Sequence, residues 1–120
     1  MVSIAIKRIY ATSGANDGCR ILVDRLWPRG LRKDQVRIDH WFRDLAPSNA
    51  LRKWFGHEPE KWDEFCRRYH AELETNALVL IPFHALLKSE AKITLLFAAK
   101  DETHNNAVVL AEYLRAKSPR

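Results

Sequence analysis

Runs of apolar residues predict three β-strands and one ambiguous segment. The strands extend from Val2 to Tyr10, from Cys19 to Leu26 and from Ile93 to Ala99. The last of them, ITLLFAA, is continuously apolar, which is typical of a central strand that is buried on both faces. The segment from Ile38 to Leu45 fits either a short strand or a helical turn, and a nearby proline ends it.

Helical spacing and capping residues predict four helices: Asn49–Phe55, Pro59 to about Leu73, Pro82–Ser89 and a last helix that ends near Ala116. Ser48 is a suitable N-cap for the first of these helices. Pro59 suits the first turn of the second helix, where its missing N–H group would have no partner in any case. Asp101 or Thr103 is the expected cap of the last helix.

The alternation of strands and helices predicts an α/β fold, in which residues 1–120 form a single layered domain with a mostly parallel central sheet flanked by helices. The connection after the first strand is short, which allows that strand to run antiparallel. Ligands of open α/β sheets bind beyond the carboxyl ends of the strands. The polar loops that follow such ends, Asp24–Gly30 and Lys100–Asn106, are therefore the candidate sites.

The composition indicates a globular domain with an excess of positive charge. The chain has 20 Lys and Arg residues against 15 Asp and Glu, a formal net charge of +5 that favours anionic partners. Cys19 and Cys66 have no metal-binding spacing and suggest no disulfide framework. The longest apolar run, Ala77–Ile81, is too short to cross a bilayer. We therefore expect a cytoplasmic protein without a membrane partner.

Several segments of the chain carry particular motifs: Asp17-Gly18, ILVDRLWPRG at Ile21–Gly30, LAPS at Leu45–Ser48, LRKWFGHEP at Leu51–Pro59 and TLLFAAKDETHNNA at Thr94–Ala107. With these motifs the chain resembles the YeaO-like proteins of domain-of-unknown-function family 488, a bacterial and archaeal family. The resemblance implies an architecture and a pocket, but no particular reaction.

Two positions depart from the pattern of that family. Tyr10 is often followed by an acidic residue in family members, whereas Ala11 follows it here. In a longer, distantly similar branch a cysteine precedes the histidine of the last loop, and Thr103 stands at that position here. The chain therefore has no thiol nucleophile at that place.

The two candidate loops carry residues that suit the binding of an anion. Arg25 and Arg29 can present forked donors to a phosphate or carboxylate, although arginines at such positions also pair with a neighbouring aspartate or carbonyl group. Lys100 and Asn105 lie where a helix begins, and exposed backbone donors at a helix start attract anions.

His104 and Asp101 are the candidate catalytic residues. His104 can transfer a proton near neutral pH, and Asp101 can serve as the acid or base. The alternative is structural, with Asp101 as a helix cap and His104 as a residue that orients the loop. Asp24 and Asp101 with one histidine form no recognised ligand spacing, so we predict neither a metal site nor a cofactor.

Asp24, Trp27, Trp54 and His57 are expected to line the pocket. Trp54 and His57 lie in a basic, aromatic segment that can also stack nucleic-acid bases, although aromatic residues of this kind more often pack in a core.

These observations predict binding of a small phosphorylated or nucleotide-like anion, with hydrolysis or group transfer as the reaction class if the protein is an enzyme. The first alternative is a nucleic-acid-binding or regulatory protein that uses its basic face without catalysis. A second alternative is an interaction module with Trp41, Phe42 and Trp54 in a dimer interface. The oligomeric state does not follow from the sequence.

Overall fold

Four parallel strands form the sheet of the computed structural model, which describes residues 2–117. The strands are β1 (Ser3–Arg8), β2 (Cys19–Leu22), β3 (His40–Trp41) and β4 (Lys92–Phe97). Their order in the sheet is β1-β4-β2-β3, so β4 is a central strand, as its apolar sequence predicts. The predicted α/β class is therefore confirmed.

β1 runs parallel to β4, with Ser3 opposite Lys92. The antiparallel direction that the short connection allows is not adopted. The connection includes a 3-10 turn at Ala15–Asp17 and ends at Gly18, whose φ is +66°. A Cβ atom at Gly18 would lie 2.4 Å from the Lys92 carbonyl oxygen, so only glycine permits this close passage. As a result, the carboxyl end of β1 lies at the same edge of the sheet as those of β2 and β4.

The described residues form four α-helices: α1 (Asn49–Phe55), α2 (Trp62–Thr75), α3 (Ile81–Ser89) and α4 (Asn106–Lys117). Single 3-10 turns lead into α2 and α3. The ambiguous segment between Ile38 and Leu45 contains both alternatives, because the two-residue strand β3 is followed by a 3-10 turn at Arg43–Leu45.

The helix caps agree with the sequence at α1 and differ from it at α4. The Ser48 hydroxyl accepts a hydrogen bond from the Leu51 N–H group at 3.1 Å, as predicted. At α4 the cap is Asn105, whose Oδ1 accepts from the Val108 N–H group at 3.1 Å, and neither Asp101 nor Thr103 has that role. The reason is that α4 begins only at residue 106, directly after Asn105.

The two faces of the sheet are covered differently. Alternate strand residues such as Ile21 and Leu95 pack with the helices in the main core. On the other face, Leu22 and Leu96 pack against side chains of the segment from residue 27 to residue 38, in which a 3-10 turn is the one regular element. The helices therefore cover one face, and the loop that leaves β2 covers the other.

A cluster of charged residues closes the amino end of β2. The Arg20 side chain is fully buried and donates from Nη1 to Asp17 Oδ2 at 2.5 Å and from Nε to the Arg37 carbonyl at 2.7 Å. Lys7 donates to Asp17 Oδ1 at 2.7 Å. Hydrogen bonds from the Gly14 N–H group and from Lys7 hold the pKa of Asp17 well below its ordinary value.

Candidate functional site

A cavity of about 1130 Å³ lies at the carboxyl edge of the sheet. Its walls come from the ends of β1, β2 and β4, from the loops that follow them, and from the end of α1. Both loops that the sequence nominates, Asp24–Gly30 and Lys100–Asn106, contribute side chains to it. The volume is sufficient for a ligand the size of a mononucleotide.

Asp24 lines this cavity in a fixed orientation. Its Oδ2 accepts a hydrogen bond from the Ala98 N–H group at 2.9 Å, and its Oδ1 accepts from Asn106 Nδ2 at 3.1 Å. The indole N–H of Trp41 donates to the Asp24 carbonyl at 2.7 Å and holds the backbone as well. Burial raises the pKa of the Asp24 carboxyl above its ordinary value, against the two hydrogen bonds that lower it.

Two arginines of the cavity are anchored to backbone carbonyl groups. Arg25 donates to the carbonyls of Ala46 at 3.1 Å and Pro47 at 3.2 Å. Pairing with a carbonyl group was one of the two interpretations of this arginine in the sequence. Arg8 donates to the carbonyls of Ala99 at 2.9 Å and Ala98 at 3.1 Å and so connects the ends of β1 and β4. Both guanidinium groups contribute positive charge while they hold the loops in place.

Arg29 and Lys100 differ from these anchored arginines. Both line the cavity and are exposed, and neither side chain makes a hydrogen bond or an ion pair within residues 2–117. The backbone of Arg29 is nevertheless fixed, because its carbonyl accepts from the Tyr10 hydroxyl at 2.7 Å. The two cations are therefore positioned at the cavity with their donors available to a ligand.

The loop after β4 is organised around Asp101. The Asp101 Oδ1 accepts from the N–H groups of Thr103 at 2.9 Å and His104 at 3.0 Å, and Oδ2 lies 3.0 Å from His104 Nδ1. These hydrogen bonds, first that of the Thr103 N–H group, lower the pKa of Asp101 to about 2. Asn105 Nδ2 donates to the Asp101 carbonyl at 2.9 Å and completes the loop.

The structure brings only part of the predicted catalytic pair to the cavity. Asp101 and Asn105 line it, whereas His104 is not among the lining residues. The imidazole of His104 contacts Asp101 and Thr103, and its ring meets Trp62 edge-on at 5.0 Å between centroids. His104 therefore packs within the loop, as the structural alternative has it.

His57, which follows α1, lies at the cavity, whereas Trp54, in the last turn of α1, does not. His57 has a φ of +60° and follows Gly56 at +55°, so two consecutive residues are left-handed and turn the imidazole toward the cavity wall. Trp54, which the sequence nominates as a lining residue, does not line the cavity. Its ring instead stacks against two cations, with Arg68 Cζ 4.1 Å and Lys61 Nζ 5.0 Å from the ring centroid. The helical spacing of α1 turns the ring toward α2.

One side of the cavity is apolar. Trp27 lines it as predicted by its loop position, and its indole N–H donates to the Leu31 carbonyl at 2.6 Å. Tyr10 and Leu26 also line it, and both side chains are exposed to solvent. A ligand can therefore place an apolar part against this wall.

No group of three or more His, Cys, Asp or Glu side chains within the described part of the chain could hold a metal ion. Asp24 and Asp101 both line the cavity, but each is engaged by different amide donors.

The sequence interpretation did not find Arg8, Arg52 and Asn106 as lining residues. Arg8 could not be assigned to the cavity because the sequence leaves the direction of β1 open. Only a parallel β1 places the carboxyl end of this strand, and with it Arg8, at this edge of the sheet. Asn106 begins α4 and donates to both the Val23 carbonyl and Asp24, a link between distant segments that no local motif signals.

These features define a single α/β domain with a ligand-sized cavity at the carboxyl edge of a parallel sheet. A family model described as the inactive DUF488-N3 subclade matches residues 3–120. The chain therefore belongs to the DUF488 family, among its YeaO-like proteins.

Two relatives of the chain are described only as uncharacterized proteins. The chain is 40% identical over 115 residues to the uncharacterized protein YeaO of Escherichia coli, covering 96% of this chain and 99% of that protein. It is 38% identical over 114 residues to the uncharacterized protein Rv3073c of Mycobacterium tuberculosis, covering 95% of each. No solved structure matches the chain significantly. Between residues 2 and 117, no helix has the length and hydropathy that crossing a membrane requires.

Proposed function

We propose that this protein binds a small phosphorylated or nucleotide-like anion in the cavity, and that it binds this ligand without converting it. The observation that carries the proposal is the pair Arg29 and Lys100, two cationic side chains that line the cavity and have no partner within residues 2–117. Guanidinium and ammonium groups at the carboxyl edge of a parallel sheet are well suited to a phosphate group.

The charge of the lining supports an anionic ligand. The permanently charged cations of the cavity outnumber its carboxylates, Asp24 and Asp101. These cations are Arg8, Arg25, Arg29, Arg52 and Lys100. In a partly enclosed site such an excess attracts anions more strongly than the same charges on an open surface.

Binding without turnover is supported by the loop after β4. Asp101 uses both carboxylate oxygens within the loop, and its lowered pKa makes it a weak base. Neither Cys19 nor Cys66 lines the cavity, and Thr103 stands where a distantly similar branch has cysteine. The description of the matching subclade as inactive agrees with this proposal.

Thermal stability in the presence of phosphate, ribose 5-phosphate and adenosine monophosphate tests the proposal, because a ligand that binds only the folded state raises the midpoint. We expect Arg29→Ala to weaken binding by about tenfold, the loss of a charge-assisted hydrogen bond. Arg32→Ala is the matched control, since Arg32 lies in the same segment, is exposed and is outside the cavity. If none of these anions raised the midpoint, the proposal would be wrong.

Incubation with phosphomonoesters distinguishes binding from catalysis. We expect no release of inorganic phosphate, and we expect His104→Ala to leave ligand affinity unchanged because His104 is not a lining residue. Release of phosphate that His104→Ala or Asp101→Ala abolished would instead support the hydrolase interpretation.

Binding of nucleic acid on the basic face remains the alternative, and oligonucleotides in the same assay separate the two. Affinity that falls steeply with salt and does not respond to Arg29→Ala would favour nucleic acid. The cytoplasmic location expected from the sequence stays a prediction.

A further inference from the structure

We infer that the ligand is a hydroxylated phosphomonoester, and that Asp24 is the residue that selects its hydroxyl groups. The inference rests on the proposed function and names the ligand class for the same cavity. It begins from an unusual feature of an anion site, a partly buried carboxylate among the lining residues.

Asp24 is held ready to accept further hydrogen bonds. The Ala98 N–H group occupies one acceptor site on Oδ2 and the Asn106 amide occupies one on Oδ1. A carboxylate has about four acceptor sites in all, so each oxygen keeps one that the protein does not fill. The two amide donors also fix the side chain, so a ligand group meets a carboxylate of defined position.

No cation forms an ion pair with Asp24 within residues 2–117, although the cavity contains several. Arg25, its neighbour in sequence, donates to two backbone carbonyls instead. An unpaired carboxylate repels a phosphate group, so the phosphate is directed to Arg29 and Lys100 and away from Asp24. The part of the ligand that reaches Asp24 must then be a hydrogen-bond donor.

A hydroxyl group fits this position better than an ammonium group. The surplus of permanent cations in the lining disfavours another positive charge, whereas a neutral hydroxyl donor carries no such cost. Burial also raises the pKa of Asp24, so its ionised form gains from each added donor. Phosphate at one end and hydroxyl groups at the other describe a phosphorylated polyol or sugar.

Calorimetric titration at neutral pH with glycerol 3-phosphate and with propyl phosphate tests the inference. The two compounds share the phosphate and the carbon chain and differ only in two hydroxyl groups. We expect glycerol 3-phosphate to bind at least about tenfold more tightly, the effect of a hydrogen bond to a charged acceptor. Ribose 5-phosphate and adenosine monophosphate in the same assay distinguish a sugar phosphate from a nucleotide.

The variant Asp24→Asn assigns the preference to its residue. The amide is neutral, and it keeps one acceptor oxygen, which already accepts from the Ala98 N–H group, while an NH2 donor replaces the other oxygen. The preference for glycerol 3-phosphate should therefore fall to below about threefold, because a neutral acceptor binds a hydroxyl group more weakly than a charged one. Asp34→Asn, at an exposed aspartate outside the cavity, should keep the full preference.

The outcomes separate this inference from the proposed function. If inorganic phosphate and both esters bound the unaltered protein equally well, the selection of hydroxyl groups would be disproved while anion binding stood. A preference that persisted in Asp24→Asn would disprove the role of Asp24. If none of the phosphates bound, both the proposed function and this inference would be wrong.

Discussion

The two ends of β2 carry two aspartates in opposite situations. Asp17, just before the strand, has both carboxylate oxygens in contact with cations, Lys7 and the buried Arg20. Asp24, just after the strand, accepts only from neutral amide donors and faces a cavity. The pKa of Asp17 is lowered by its hydrogen bonds, whereas burial raises the pKa of Asp24.

The hydrogen-bond partners distinguish the two carboxylates. One that is paired with cations stabilises the fold, whereas one with open acceptor sites at a cavity is available to a ligand. At the amino edge of the parallel sheet, Asp17 is paired with Lys7 and with the buried Arg20. At the carboxyl edge the loops diverge, and Asp24, Arg29 and Lys100 are left with unused hydrogen-bonding capacity among the described residues. Water can fill this capacity in the free protein, and a ligand that enters the cavity can replace that water.

The largest expected effect comes from removing the charge at the amino end. Asp17→Asn should lower the free energy of unfolding by about 3 kcal/mol, because it leaves the buried Arg20 charge uncompensated. Arg20 depends on this partner, since its Nη2 is buried without a hydrogen bond within residues 2–117. Urea denaturation measures the change.

Asp24→Asn is the matched substitution at the other end of the strand. It should change the free energy of unfolding by less than about 1 kcal/mol, because the loss of one hydrogen bond is offset by removal of a buried, unpaired charge. Equal losses in the two variants would contradict the distinction between a structural and a ligand-binding aspartate.

The opposite pKa shifts of Asp17 and Asp24 predict opposite contributions to the pH dependence of the unfolding free energy. The folded-state pKa of Asp17 lies below its ordinary value of 3.8, so its stabilisation is complete above that pH and is lost as the pH falls toward the folded-state value. The folded-state pKa of Asp24 lies above 3.8, so ionisation of its buried carboxyl costs stability as the pH rises from 3.8 through that value.

Urea midpoints measured between about pH 5 and pH 3 check these signs. The midpoint of the unaltered protein should fall on acidification, and Asp17→Asn should reduce that fall. Asp24→Asn should make the fall steeper, because it removes a group whose protonation favours the folded state. An acid response unchanged by Asp17→Asn would show that other carboxylates dominate it.

Much of the fold is predictable because its elements are local. The continuous apolar run of β4 and the Ser48 cap of α1 need no tertiary information, and both were predicted. The direction of β1 was not, since it depends on the approach of Gly18 to the Lys92 backbone, residues that are distant in sequence. The Asn105 cap was within reach of sequence reasoning, because asparagine is a favoured N-cap.

The candidate site is predictable in location but not in detail. Both loops were identified from their position after buried strands, and both line the cavity. Arg25 and Arg29 look equivalent in the sequence, yet one donates to carbonyls of a distant segment and the other has no side-chain partner within residues 2–117. Which arginine is available for a ligand depends on where residues 46 and 47 lie in space.

The smallest expected effect sharpens the comparison at the cavity end. His57 has a left-handed φ of +60°, which costs a non-glycine residue about 1 kcal/mol, and its side chain lines the cavity. His57→Gly relieves this strain but adds freedom to the unfolded chain, so the unfolding free energy should change by less than about 0.5 kcal/mol. Affinity for glycerol 3-phosphate should nevertheless fall about threefold, as expected for loss of one exposed lining side chain that can donate a hydrogen bond to the ligand. Gly56→Ala, one residue earlier at a φ of +55°, is the control. It should lower the free energy of unfolding by about 1 kcal/mol through the same backbone strain and leave the affinity unchanged.

If His57→Gly cost as much stability as Asp17→Asn, the carboxyl edge would be structural in the same sense as the amino edge, and the contrast between the two ends of β2 would not hold.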